Sequence, residues 1–290
     1  MKFFCCSMLL ILVASPFVAS DHGDTPLLRD IGRHDARLTD LYAFERGTDL
    51  VIVVTVDPTL PATATEWTPS GDVKFRIMID NDSEVTFDDA EDLATLGGTI
   101  AQPENIREEI TFRIHLDDDG QPQLNAQGLR GSREGILFFA GLRDDPFIRA
   151  PRSGRNIGAI VLSVPKERVL GEQDTLLLWA TAAVEEVHGP FQDLVGRALR
   201  SMFPENDLFN ITHPSKHFLE LGVQPDVMIY DTSRAAAFPN GRELTDDVVD
   251  LVGDPRVLSN DAPFPDANDL PWIVDFPYLA APHAPAEANK

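Results

Sequence analysis

Polar and apolar side chains take turns through Lys74-Phe75-Arg76-Ile77-Met78-Ile79 and again through Thr111-Phe112-Arg113-Ile114-His115-Leu116. A period of two wets one face of a strand and buries the other, which a helix with 3.6 residues per turn cannot do. Six runs of this kind, rich in β-branched and aromatic residues and separated by Gly, Pro and Asp, fall at 50–56, 73–79, 109–116, 135–142, 157–164 and 175–181. They predict a mainly β chain built as an antiparallel β-sandwich-like single domain. Asp118-Asp119-Gly120 reads as a hairpin turn.

After residue 185 the texture changes. Leu194, Val195, Leu199 and Met202 have helical spacing, so a helix is expected over 191–202, ended by Pro204, with a second short one over 213–221. From 254 onward Pro, Asn and Asp dominate, which predicts a long irregular C-terminal wrap packed on the sandwich. The domain is expected over 21–283, strand-rich over 40–183 and helical and irregular over 185–283. Residues 284–290 read as a frayed tail.

The first twenty residues have the three parts of a secretory leader: Lys2, an apolar run from Phe3 to Phe17, and Val18-Ala19-Ser20 before Asp21. Cleavage is expected after Ser20, with Ala19 as the alternative. The destination would be secreted or periplasmic. Both cysteines, Cys5 and Cys6, would leave with the leader, so the mature chain would have no disulfide, thiol nucleophile or thiolate ligand. Folding then rests on an apolar core, for which roughly 270 residues suffice. No membrane span is expected.

Lys and Arg number 24 against 47 Asp and Glu, a net charge of -23. Such a surface repels nucleic acid and anionic lipid. It suits a cation, an unidentified small molecule or another exported protein as partner, or simply keeps an exported chain in solution.

Two acidic stretches invite a closer reading. In Phe238-Pro239-Asn240-Gly241-Arg242-Glu243-Leu244-Thr245-Asp246-Asp247, the Asn-Gly pair supplies a turn with positive φ. Thr245 can cap a helix over 246–252 that stops at Gly253, with Asp246 and Asp247 in the favourable first turn. This account leaves Asn240, Arg242 and Asp250 free to tie neighbouring loops, and ligand binding competes with it. The second stretch, 80–91, offers Asp80, Asp82, Glu84, Asp88 and Glu91 with Thr86 at the spacing of a loop for calcium or another divalent cation. Against it, Val85 stands where the bend wants glycine, and a strand precedes it.

Among the histidines, His213 and His217 are four apart, the spacing of a helical zinc pair, but Pro214 places His213 ahead of the first turn. His22 lies beside the expected new amino terminus, where cleavage after Ala19 would create a copper or nickel chelate. No nucleophile elbow, phosphate loop or dinucleotide fingerprint occurs, while paired carboxylates for hydrolysis remain available.

Several motifs together resemble one family. They are Ser20-Asp21-His22-Gly23-Asp24-Thr25-Pro26, Thr39-Asp40-Leu41-Tyr42-Ala43-Phe44 and Phe139-Ala140-Gly141-Leu142-Arg143-Asp144-Asp145-Pro146-Phe147 in the first half. In the second half they are Asp207-Leu208-Phe209-Asn210, the 238–242 motif with Leu244 to Val248, and Phe276-Pro277-Tyr278-Leu279-Ala280-Ala281-Pro282-His283. The set is similar to the secreted bacterial domain of unknown function 4331, across nearly the whole mature chain. The chain departs from that family at Asp21, Gly23 and Asp24 and at Ser83-Glu84. The resemblance implies export, a β-rich fold and a shared polar set: His22, Asp40, Arg143, Asp144, Asp145, Asn240, Arg242, Asp246, Asp247 and His283. Either these converge on a ligand or they form an ion-pair network that holds long loops.

The expected role is a non-enzymatic binding or structural protein with divalent-cation dependence. The alternative is a metal- or carboxylate-dependent hydrolase using Asp145, Asp246, Asp247 and His283.

Overall fold

A computed structural model of the chain describes residues 25–148, 154–186, 189–198, 206–252 and 266–284. Residues 1–24, where a leader is expected and His22 lies, most of the 284–290 tail, His188, Gly253 and residues 199–204 at the end of the expected 191–202 helix lie outside the described residues.

The fold is mainly β. One antiparallel sheet contains β1 (Leu38–Arg46), β2 (Asp49–Val56), β8 (Leu137–Asp144) and β9 (Asn156–Pro165) in the order β1-β2-β9-β8. The other contains β3 (Lys74–Asp80), β6 (Ile110–Leu116), β7 (Pro122–Gln127), β10 (Thr175–Glu186) and β11 (Gly189–Val195) in the order β11-β10-β3-β6-β7. The short β12 (Met228–Asp231) also pairs with β10. A two-strand ladder, β4 (Val85–Thr86) with β5 (Thr99–Ile100), stands apart.

The inner faces meet in one core. Leu41, Ala43, Ile52, Val54, Ile160 and Leu162 from the first sheet join Phe75, Ile77, Phe112, Ile114, Leu178 and Ala180 from the second. The alternating runs of β3 and β6 thus bury the side that their period assigned. Strands β1 and β2 do not alternate because their outer face is covered too. Tyr42, Phe44, Val51 and Val53 form a second cluster, against which Trp272, Phe276, Tyr278 and Leu279 of the C-terminal wrap are packed.

The hairpin at 117–121 forms as its Asp and Gly residues predict. Asp117 Oδ1 accepts from the amides of Asp119 and Gln121 at 3.0 and 2.8 Å, and Gly120 has φ +74°.

The chain from 189 to 195 is a strand rather than the start of a helix over 191–202. Leu194 and Val195 are adjacent because they face opposite ways: Val195 enters the central core and Leu194 the cluster on the outer face. Two covered faces accept neighbouring apolar residues, which a one-sided surface helix would have to explain by its stripe. In the segment 213–221, α4 (Pro214–Lys216) is followed by a π-helical turn, His217–Leu221. Helices α1 (Pro26–Asp30), α2 (Ala90–Thr95), α3 (Asn206–Ile211) and α5 (Val248–Val252) are as short.

Candidate functional site

The motif Asn240-Gly241-Arg242 crosses from one sheet to the other. Gly241 donates its amide to the Ile229 carbonyl on β12 at 2.8 Å. Arg242 exchanges both backbone bonds with Ala43 on β1, at 2.9 and 3.1 Å. Gly241 has φ +67°, and a Cβ there would stand 2.7 Å from the Ala43 carbonyl oxygen and 2.9 Å from the Tyr230 ring. Only glycine meets both demands, the left-handed backbone and the close approach.

Side chains finish the clasp. Asn240 Oδ1 accepts from the Asp231 amide at 2.8 Å, and Nδ2 donates to the carbonyls of Asp231 and Ala235. Arg242 is fully buried; its Nη1 donates to Asp40 Oδ1 at 3.1 Å and its Nη2 to the Tyr42 hydroxyl at 3.3 Å. The guanidinium also lies over the Tyr42 ring, 4.1 Å from its centroid, with the Phe147 ring at 5.7 Å. Asp40 is as deeply buried, so the two charges answer each other away from water.

The two adjacent aspartates do separate work. Asp246 Oδ2 accepts from the amides of Phe238 and Glu243 at 2.9 and 2.8 Å, closing the loop that carries the clasp. Asp247 Oδ1 accepts from Val249 and Asp250 amides at 3.2 and 3.3 Å, the pattern of an N-cap for α5. The helix therefore starts two residues later than expected, and Asp247 rather than Thr245 caps it. The reason is that Asp246 already turns back on Glu243, so 243–246 is spent as a turn.

At the C-terminal end of β8, Asp144 is buried and meets the wrap. Asn268 Nδ2 donates to its Oδ2 at 2.6 Å, and His283 Nε2 lies 2.9 Å from Oδ1 and 3.4 Å from Asp269 Oδ2. Asn156 fixes the histidine backbone, accepting from the His283 amide at 2.8 Å and donating to its carbonyl at 3.2 Å. Burial pushes the Asp144 carboxyl up to about 7; the charges of Asp269 and Asp145 add to this, while the Asn268 amide and His283 oppose it. Asp145 points elsewhere and accepts from the Phe147 amide at 3.2 Å.

Three groupings of carboxylate and imidazole atoms close enough to share an ion occur among the described residues: Asp144 with Asp269 and His283, Asp80 with Asp82 and Glu109, and Asp247 with Asp250 and Asp266. In the second, Asp80 is saturated from within, accepting from Asp82, Ser83 and Arg107 amides and the Ser83 hydroxyl. Arg107 bonds both Asp82 and Glu109. Glu84, Asp88 and Glu91 belong to none of the three. The calcium-loop spacing dissolves because Val85 and Thr86 pair with β5 and Asp89 caps α2, which straightens the chain where a cation loop would coil.

His213 and His217 do not form a ligand pair. His213 caps α4, its Nδ1 accepting from the Ser215 amide at 3.2 Å, whereas His217 is buried between the Thr212 carbonyl and the Asp226 amide.

A cleft of about 320 Å³ opens beside the clasp, lined by Phe238, Pro239, Gly241, Leu96, Met228 and Arg197 among others. His22 lies outside the described residues, and none of the other nine shared polar residues lines the cleft. They divide instead into the clasp (Asp40, Asn240, Arg242 with Asp246 and Asp247), the Asp144–His283 contact with Asp145 beside it, and Arg143 by itself. Sequence reasoning did not find Asn156, Asn268 and Asp269, whose roles depend on the wrap returning to β8; a lone Asn or Asp leaves no periodic signal. No helix among the described residues is long and apolar enough to cross a membrane. Compared with models of known protein families, with curated proteins and with solved structures, the chain shows no significant match.

Proposed function

We propose that this chain is an exported, non-enzymatic binding or structural protein, a member of the family it resembles, whose shared polar residues chiefly fasten a thiol-free sandwich. The observation that carries this reading is the clasp. Asp40, Asn240, Arg242 and Asp246 bond one another, the Tyr42 and Thr55 hydroxyls, or backbone amides and carbonyls. Groups committed in that way hold loops rather than turn over substrate. Divalent-cation dependence remains part of the reading and draws on Asp144, Asp269 and His283.

A second reading, a carboxylate- or metal-dependent hydrolase, draws on the same contact, where an imidazole stands between two carboxylates.

Purified mature protein separates the two. Neutralising both Asp246 and Asp247, as D246N/D247N, is expected to lower the melting temperature by several degrees, since each removes a loop or helix cap. Hydrolysis of chromogenic ester, phosphate and glycoside substrates is expected to proceed at the buffer rate. Turnover that disappears in His283→Ala, with melting unchanged in the double variant, would replace the first reading with the second.

A further inference from the structure

On β8 the alternation places Phe139, Gly141 and Arg143 on one face, the outer one that carries the cluster under the wrap. The Phe139 ring lies across the glycine: a Cβ on Gly141 would stand 3.0 Å from Phe139 Cζ. The Arg143 guanidinium rests on the same ring, 4.1 Å from its centroid. β8 is the edge strand of its sheet among the described residues, and Phe139, Gly141 and Arg143 are each half-buried.

The polar contact of that guanidinium is meagre. Nη1 donates to the carbonyl of its own neighbour Leu142 at 3.3 Å, and Nε is shielded from solvent without a partner. Asp144 and Asp145, next in sequence, face away: one meets Asn268 and His283, the other the Phe147 amide. Among the described residues this half-buried cation thus stands without a carboxylate, in a chain holding 47 of them. Burial lowers its pKa, and no acid opposes that shift. By contrast, Arg242, Arg33 and Arg46 are each paired with acids.

We propose that Arg143, held on the ring of Phe139, is the binding position for a monocarboxylate that carries an apolar body. The guanidinium fork matches a carboxylate with two parallel N–H bonds. One cation balances one negative charge, and a net charge of -23 opposes a dianion such as phosphate. The apolar body has surface to cover in the Phe139 ring, which carries the guanidinium and is itself only half-buried. This inference rests on the reading of the chain as a binding protein and gives that reading a ligand class.

The test titrates the full mature chain with benzoate, with cyclohexylmethanol as a neutral analogue and with inorganic phosphate, by calorimetry and by melting. Saturable benzoate binding is expected, weakened at least about tenfold in Arg143→Gln and less in Arg143→Lys, because a charge-assisted bidentate contact contributes that much. Phosphate and the alcohol are expected to bind far more weakly. The proposal fails if wild-type protein shows no saturable benzoate binding, if Arg143→Gln binds benzoate equally well, or if phosphate binds as tightly. Should Arg143→Gln not fold, Phe139→Leu keeps the cation and removes its platform; undiminished benzoate affinity there would equally overturn the proposal. Absent benzoate binding alongside the expected melting loss in D246N/D247N removes this site alone and leaves the fastening role intact.

Discussion

The guanidinium of Arg242 donates to the carboxylate of Asp40 across 202 residues of chain, at 3.1 Å, with both side chains sealed from water. Removing either partner leaves the other as an uncompensated buried charge. Arg242→Met and Asp40→Leu alone are each expected to cost about 3–5 kcal/mol, read as a lower denaturant midpoint. The double substitution is expected to recover much of that loss. Additive losses would show that the two groups do not depend on each other.

Gly241 tests the backbone half of the same clasp. Gly241→Ala asks an L side chain to adopt φ +67° and to enter space already held by the Ala43 carbonyl and the Tyr230 ring. The strain alone is worth about 1–3 kcal/mol, and the contacts add to it. Gly222 makes a fair control: its φ is +69°, but a Cβ there meets nothing within 4 Å. Equal losses at the two positions would mean that the close approach contributes nothing.

The buried carboxyl of Asp144 makes stability depend on pH. Its folded pKa, about 7, lies above the ordinary 3.8, so folding favours the protonated form. That contribution is fully present below 3.8 and is lost as pH rises through about 7. Asp269, Asp145 and His283 face the same group and shape the curve. Wild-type melting temperature is therefore expected to fall between about pH 4 and 7 through this group, and Asp144→Asn to flatten that fall. An identical pH profile in the variant would contradict the assignment.

Calcium is expected to leave the melting temperature unchanged, as is a chelator selective for it. Asp80 is saturated by internal donors, Arg107 bonds Asp82 and Glu109, Asp247 Oδ1 already accepts two helix amides, and the group at Asp144 includes an imidazole, a poor ligand for a hard cation. Calcium-dependent melting that survives Asp80→Asn would locate a site elsewhere.

Local chemistry was legible wherever a single element decided it. The strands at 74–79 and 111–116 follow from their alternation, the 117–121 turn from its Asp and Gly, and the irregular wrap from its Pro, Asn and Asp content. Segments covered on both faces were harder to read. β1 and β11 have no period because each face meets its own apolar cluster, and the apolar spacing of β11 imitates a helix.

The sequence alone determined that the chain folds mainly as strands and carries a large excess of negative charge, since period, residue type and charge are properties of neighbours along the backbone. Only the tertiary structure decided what the polar residues do. Arg143 and Asp144 are adjacent in the chain yet emerge on opposite faces of β8, while Asp40 and Arg242, far apart in order, meet out of water against the Tyr42 ring. Contacts of that kind depend on strand order and register, which bring remote residues together at distances no linear pattern encodes.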